Sequence, residues 1–251
     1  MKTVEVLFTP AEFGALCGRD LSGTVCVVFD VFRATTSMVT ALANGAAAVI
    51  PALDIAEALE LRRRYPEALL AGERNGLRIS AVQACGVEFD LGNSPREFTP
   101  ERVANRIIVT TTTNGTRAIR ACLGAGSVLV GSFLNLAATA QAVRRTSCDT
   151  LLVVCSGTLE QAAYEDTLGA GALCDLLWDG FDPAGVADSA LMARQIFQWA
   201  PADPLSAANL SRNGRRLLRM PELKDDVVFS LERDRVPFAA TLDQQGRVIR
   251  L

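Results

Sequence analysis

Residues 107–117 read Ile-Ile-Val-Thr-Thr-Thr-Thr-Asn-Gly-Thr-Arg, and Ala118-Ile119-Arg120-Ala121-Cys122-Leu123 follows. A short β-branched run bounded by Asn-Gly reads as a buried strand, and the residues beyond Gly115 read as a helix. The junction therefore predicts a strand at 106–111, a polar loop and a helix at 115–123. Hydroxyls stacked there suit an anion, because a helix start offers orphan N–H groups, a favourable dipole and short donors without bulk. A plain strand end with an N-cap accounts for one or two of these hydroxyls but not the set. The stretch is not a P-loop, since no Gly-Lys-Ser/Thr closes a glycine-rich loop.

The same unit recurs along the chain. Strands are predicted at 3–8, 24–31, 47–51, 68–71, 127–131 and 150–155. Helices are predicted between them at 35–44, 55–64, 135–145 and 165–178. This alternation predicts an α/β fold, a three-layer α/β/α arrangement with a mostly parallel or mixed sheet. After residue 180 the pattern changes to a helix at 186–199, a loop marked by Pro201 and Pro204, and a helix at 205–219. The tail at 226–251 reads as two or three short strands with a turn at Gln245-Gly246. Sliding the chain by about 79 residues lays 43–50 over 122–129. That shift suggests a duplication of units 20–100 and 101–180, followed by 181–251, within one domain spanning 1–251.

Composition narrows the chemistry. The 251 residues include no histidine, which removes Ser-His-Asp triads, Cys-His pairs and His-ligated zinc together. A net charge of −3 with dispersed arginines argues against nucleic acid as a partner. Seven scattered cysteines without a Cys-x-x-Cys pair indicate a reducing compartment. No apolar window is long enough to cross a bilayer and the N-terminus lacks a signal-peptide core, so a cytoplasmic protein is expected. For a chain of this kind a homodimer is the common state.

Four further polar stretches follow predicted strands. Asp30-Val31-Phe32-Arg33-Ala34-Thr35 places an acid, a base and hydroxyls at a strand end. This is either a local Asp30–Arg33 pair with Thr35 as an N-cap, or an Mg²⁺ ligand or nucleophile at Asp30 beside an anion-clamping Arg33. Gly72-Glu73-Arg74 adds another acid. Asn93-Ser94-Pro95 is either a turn or part of the site. Ser156-Gly157-Thr158 repeats the anion-receiving design, and Glu165-Asp166 open the next helix as dipole-stabilised caps or metal ligands. Acids and anion receptors without histidine suggest phosphoryl chemistry assisted by a hard cation.

In order and spacing these stretches resemble the 2-phosphosulfolactate phosphatase family. The likeness is carried by residues 30–35, Ala43-Asn44-Gly45-Ala46, residues 71–74, 91–95, 112–116, 132–135 and 155–158, and Glu165-Asp166. Ser211-Arg212-Asn213-Gly214 and Asp226 with Val236-Pro237 continue it, so it spans nearly the whole chain. The resemblance implies an Mg²⁺-dependent phosphatase converting (2R)-phospho-3-sulfolactate to 3-sulfolactate and phosphate, a step toward coenzyme M. It implies Asp30 and Arg33 in catalysis, with Asp30, Glu73, Glu165 and Asp166 around the metal. Thr35, Asn93, Ser94, Thr112, Thr113, Asn114, Gly115, Thr116, Ser156 and Gly157 would hold the substrate. Two departures, Phe32 in place of a leucine-like residue and a longer 86–90 segment, touch substrate choice more than reaction type. Another small anionic phosphate ester is therefore the alternative substrate. A haloacid-dehalogenase-type mechanism is disfavoured because Phe32 occupies its second acid position. Protein tyrosine phosphatase chemistry fails for want of Cys-x5-Arg. A non-catalytic anion-binding protein is disfavoured because uncompensated carboxylates would repel an anion.

Overall fold

The computed structural model covers residues 1–251. The first half of the chain forms β1 (Thr3–Leu7), α1 (Pro10–Gly14), β2 (Thr24–Phe29), α2 (Ala34–Ala43), β3 (Ala48–Pro51), α3 (Ile55–Arg64), β4 (Leu69–Arg74), β5 (Leu77–Arg78) and α4 (Pro100–Val103). The second continues with β6 (Ile107–Thr111), α5 (Gly115–Ala121), β7 (Ser127–Gly131), α6 (Leu136–Arg145), β8 (Thr150–Cys155) and α7 (Tyr164–Leu177). It ends with α8 (Asp188–Trp199), α9 (Pro204–Leu210), α10 (Arg212–Leu218), α11 (Lys224–Leu231), β9 (Ala240–Leu242) and β10 (Val248–Arg250).

All ten strands share one sheet, ordered β1-β8-β2-β7-β9-β10-β3-β6-β4-β5. β1, β8, β2 and β7 run parallel to one another, as do β3, β6 and β4. The antiparallel hairpin β9–β10 joins the two blocks at the centre. The sheet is therefore mixed. Its order is palindromic: β2 lies between β7 and β8, while β6 lies between β3 and β4. β2 of the first half of the chain is thus inserted between strands of the second half, and β6 of the second half between strands of the first.

Strand periodicity sorts the core into layers. Val25, Val27 and Phe29 of β2 face a cluster completed by α6, α7, α8 and residues of α9 to α11. Cys26 and Val28 face the opposite side, against α1, α2 and α5. In the other block, Ile50, Leu70 and Val109 pack under α3 while Val49 and Ile108 join the α2–α5 layer. Because β2 is covered on both faces, Thr24-Val25-Cys26-Val27-Val28-Phe29 is buried throughout. The Phe29 ring fits only because its neighbours are glycines: a Cβ at Gly131 or Gly169 would come within 2.7 Å of it. That wedge fixes the strand end from which Asp30 emerges.

Besides α1, α4 and β5, which were not expected, the structure departs from expectation at three places. β4 runs on through Glu73 and Arg74 because Glu73 and Arg74 pair with Arg78 and Leu77 of β5. The helix read at 205–219 divides at Ser211, whose backbone is extended and whose Oγ caps α10 by accepting the Gly214 N–H at 2.8 Å. The tail contains α11 where strands were expected, because Asp226, Val227, Ser230 and Leu231 are buried at helical spacing. The expected turn does form: Asp243 Oδ1 accepts from the amides of Gln245 and Arg247, and Gly246 adopts φ +74°. All seven cysteines are free, and no helix is long and apolar enough to cross a membrane.

Candidate active site

The loop from β2 into α2 is closed by its own hydroxyls. Thr35 Oγ1 accepts the Asp30 N–H at 2.9 Å and donates to the Asp30 carbonyl at 3.0 Å, so Thr35 braces the turn rather than facing the cleft. Asp30 Oδ1 accepts the Ala34 N–H at 3.1 Å. The expected Asp30–Arg33 pair does not form. Arg33 turns instead to Asp226 of α11, with Nη1 to Oδ2 at 2.6 Å, and donates from Nη2 to the Gly76 carbonyl at 2.7 Å. Asp30 is left without a cationic partner. Burial pushes its carboxyl up to about 6, and the nearby Glu73 and Glu165 carboxylates push the same way against the Ala34 amide and Ser156 hydroxyl.

The threonine loop meets this one directly. A Cβ at Gly115 would lie 2.4 Å from Asp30 Oδ2 and 2.6 Å from Ala34 Cβ, so only glycine lets the two helix starts converge. Thr112 and Thr116 cap each other: each backbone N–H donates to the other's hydroxyl, at 3.3 and 3.2 Å. Thr113 gives both its amide and its hydroxyl to Glu73 Oε1, at 2.9 and 2.8 Å. Asn114 Nδ2 donates to the carbonyls of Ser156 and Leu159, while its buried Oδ1 has no partner.

The two acids of α7 are engaged. Asp166 Oδ1 accepts the Val31 N–H at 2.8 Å, and Oδ2 accepts the Ser156 hydroxyl and Gly157 amide, each at 3.0 Å. Burial first, then the Asp30 and Glu165 charges, raise the Asp166 carboxyl well above the usual range. Glu165 accepts from Ser211 Oγ at 2.6 Å and Asn213 Nδ2 at 3.2 Å, tying α7 to α10. Ser94 donates to Asp226 Oδ1 at 2.7 Å, and Ser37 donates to the Asn93 carbonyl.

These loops enclose a cleft of about 330 Å³. Of the expected residues, Asp30, Arg33, Glu73, Asn93, Thr112, Thr113, Asn114 and Gly157 border it. Thr35, Ser94, Gly115, Thr116, Ser156, Glu165 and Asp166 stand behind it and hold its walls. A family model of 2-phosphosulpholactate phosphatase matches residues 15–245. The chain belongs to this family. It is similar to a probable 2-phosphosulfolactate phosphatase of Symbiobacterium thermophilum, 40% identical over 84% of this chain and 88% of the relative. A relative of the same name from Caldanaerobacter subterraneus subsp. tengcongensis is 36% identical over 91% and 92%. One from Pseudothermotoga lettingae is 37% identical over 92% of both chains.

In this 2-phosphosulfolactate phosphatase family member the cleft also takes in Arg212, Asn213 and Arg216, polar residues not predicted as part of the site. Arg212 and Asn213 stood in the 211–214 stretch that carried the resemblance but were given no role there, and Arg216 lay within the span read as one helix. The donor set fits a hard cation. Asp30, Glu73, Glu165 and Asp166 are all buried, and none forms an ion pair. No three acidic or thiol side chains converge into a closed cage. A cation held there would rest on one or two carboxylates and complete its shell with water and phosphate oxygens, as Mg²⁺ commonly does. The orphaned Asn114 Oδ1, on a residue that borders the same cleft as Asp30, is a third oxygen of the right kind. Asn114→Ala is expected to lower phosphate-ester turnover about 10- to 100-fold at a stability cost of about 1–3 kcal/mol. Steady-state kinetics and a urea melt check it, and unchanged kinetics would show that no ligand uses this oxygen.

Proposed function

We propose that the protein hydrolyses a small phosphate monoester, 2-phosphosulfolactate above all, at this cleft with Mg²⁺ held by Asp30, Glu73 and the Asn114 amide oxygen. The observation that carries this reading is a set of buried carboxylates with no protein cation to balance them, opening onto a cleft rimmed by arginines. A phosphate approaching Asp30 and Glu73 alone would be repelled, whereas a divalent cation held by them would reverse the sign of the site. When bound, the metal supplies Lewis-acid stabilisation of charge on the phosphoryl oxygens.

The chain's own residues do the rest. The Asp30 carboxylate, steadied by the Ala34 amide, stands at the mouth of two converging helix starts. Thr113 fixes Glu73 by two hydrogen bonds to one oxygen, while Glu73 Oε2 accepts the Gly76 amide at 2.7 Å. Arg33 borders the cleft with its planar fork already oriented by Asp226 and Gly76, which lowers the entropy lost on gripping the transferring phosphoryl group. Asp166 and Ser156 hold the Val31 and Gly157 backbones that frame the cleft. We further propose a cytoplasmic homodimer; the free thiols support the compartment, and its size and class support the dimer.

The decisive assay is phosphate release from phosphosulfolactate, phospholactate and a chromogenic ester, with and without Mg²⁺. Metal-dependent turnover of the sulfonated ester is expected; turnover of another ester alone replaces the substrate, and none with any ester overturns the reading. A melting experiment gives a second readout. The Asp30 carboxyl is protonated below about 6 and charged above it, so Mg²⁺ should raise the melting temperature at pH 7.5 and hardly at pH 4.5. Equal shifts at both pH values would remove Asp30 from the metal site.

A further inference from the structure

We infer that Arg212 and Arg216 of α10 receive the non-reacting anionic groups of the substrate, its sulfonate and carboxylate, and thereby set which phosphate esters the site accepts. The inference rests on the phosphatase reading above and adds to it the residues that decide selectivity.

The charges around the cleft lead to it. Arg33 is neutralised by Asp226 in a pair whose side chains are 3% and 0% exposed. Asp30 and Glu73 would be balanced by the divalent cation proposed above. Arg212 and Arg216 border the same cleft, and neither makes an ion pair with any carboxylate of the chain. Two guanidiniums without counter-charge therefore match an ester that carries two anions besides its phosphate. A neutral alcohol moiety would leave both unused.

Geometry points the same way. Residues four apart on a helix share a face, so α10 presents both arginines to one side. Arg212 donates from Nη1 to Gln161 Oε1 at 2.6 Å and from Nη2 to the Thr158 carbonyl at 3.4 Å. Arg216 donates from Nη2 to the Asn75 carbonyl. Those partners sit on the two loops that follow β8 and β4, so the pair of side chains spans the cleft from one lip to the other. A single point, the Cβ position at Gly76, is 3.5 Å from Arg216 Nη2 and 3.9 Å from Arg33 Nη2. The guanidinium gripping a pendant anion thus lies next to the one bordering the phosphoryl site. Each guanidinium carries five N–H donors in a fixed fork suited to two oxygens of a carboxylate or sulfonate. The bonds to Thr158, Gln161 and Asn75 leave donors over on both.

The test pairs kinetics with binding, using Arg212→Met and Arg216→Met, which keep the apolar stem and remove the charge. For phosphosulfolactate each variant should lose about 10- to 100-fold in kcat/KM, mainly through KM, the range for one charge-assisted contact. Phenyl phosphate turnover should change less than about threefold, because it has no pendant anion to lose. Phospholactate, lacking the sulfonate, should be sensitive to one of the two arginines only. An equal loss on all three esters would mean that the arginines merely fasten α10 to the loops, and would overturn the inference. So would no loss on any. Calorimetry with 3-sulfolactate separates this inference from the phosphatase reading. If wild type binds it and both variants bind at least tenfold more weakly, the arginine subsite stands even where no ester is hydrolysed. Binding equal in all three proteins, or absent from wild type, overturns it.

Discussion

Asp30→Asn is expected to reduce phosphate release at least about 10³-fold while making the metal-free protein more stable at neutral pH. Both effects follow from one fact, the burial of a carboxylate that no cation balances. The folded protein holds the Asp30 carboxyl at about 6, against an ordinary 3.8. Between those two values the folded state binds more protons than the unfolded one, so stability falls as pH rises through the window and stays lower above it. The charge costs on the order of 2–3 kcal/mol at pH 7 on this basis. An asparagine removes the charge, and its Oδ1 can still accept the Ala34 amide. Its stability advantage over wild type should widen from pH 4 to about pH 6 and then level off. Thermal melts in EDTA measure this, and excess Mg²⁺ should reverse the order by stabilising only wild type. If the variant is less stable at pH 7 in EDTA, the Asp30 charge is compensated within the fold and the metal assignment loses its basis.

The contrast between Asp30 and the threonines shows what a chain can and cannot reveal before folding. The β-branched runs announced β2, β6, β7 and β8 within a residue or two, because strands buried on both faces require such side chains. The polar loops were legible as a set, since acids and hydroxyls at strand ends are costly without a use. Their division of labour was not. Thr112 and Thr116 lie four residues apart and satisfy each other, and Thr113 is taken up by Glu73, 40 residues away. Most of the hydroxyls brace the turn, and the atom left free is Asn114 Oδ1. Arg33 could be paired locally with Asp30 only while α11 went unread. Asp225-Asp226-Val227-Val228-Phe229 carries no helix signal strong enough to prevail over its β-branched residues. Packing of Val227 and Leu231 into the core decides the helix, and with it the position of Asp226.

Asp226→Ala is accordingly expected to be among the most destabilising single changes in the molecule. The residue is fully buried and both its oxygens are engaged, Oδ2 by Arg33 and Oδ1 by Ser94. Removing it strands a buried guanidinium whose remaining hydrogen bond is to the Gly76 carbonyl, a loss of about 3–5 kcal/mol for a broken buried pair. In a chain of this length that corresponds to a fall in melting temperature of roughly 6–20 °C. Arg96, 3.8 Å from Asp226 Oδ1 and 45% exposed, contributes little to the figure. Desolvating an ion pair is itself expensive, so replacing both members together should behave differently. Arg33→Met with Asp226→Leu should recover most of the lost stability, because apolar residues of similar volume fill the site without a charge to bury. Activity should not return with it, since Arg33 also borders the cleft. A double variant that is stable and inactive separates the two roles of Arg33. A double variant that is stable and active would show that the pair serves only to dock α11 beneath the site, and that phosphoryl transfer proceeds without this guanidinium.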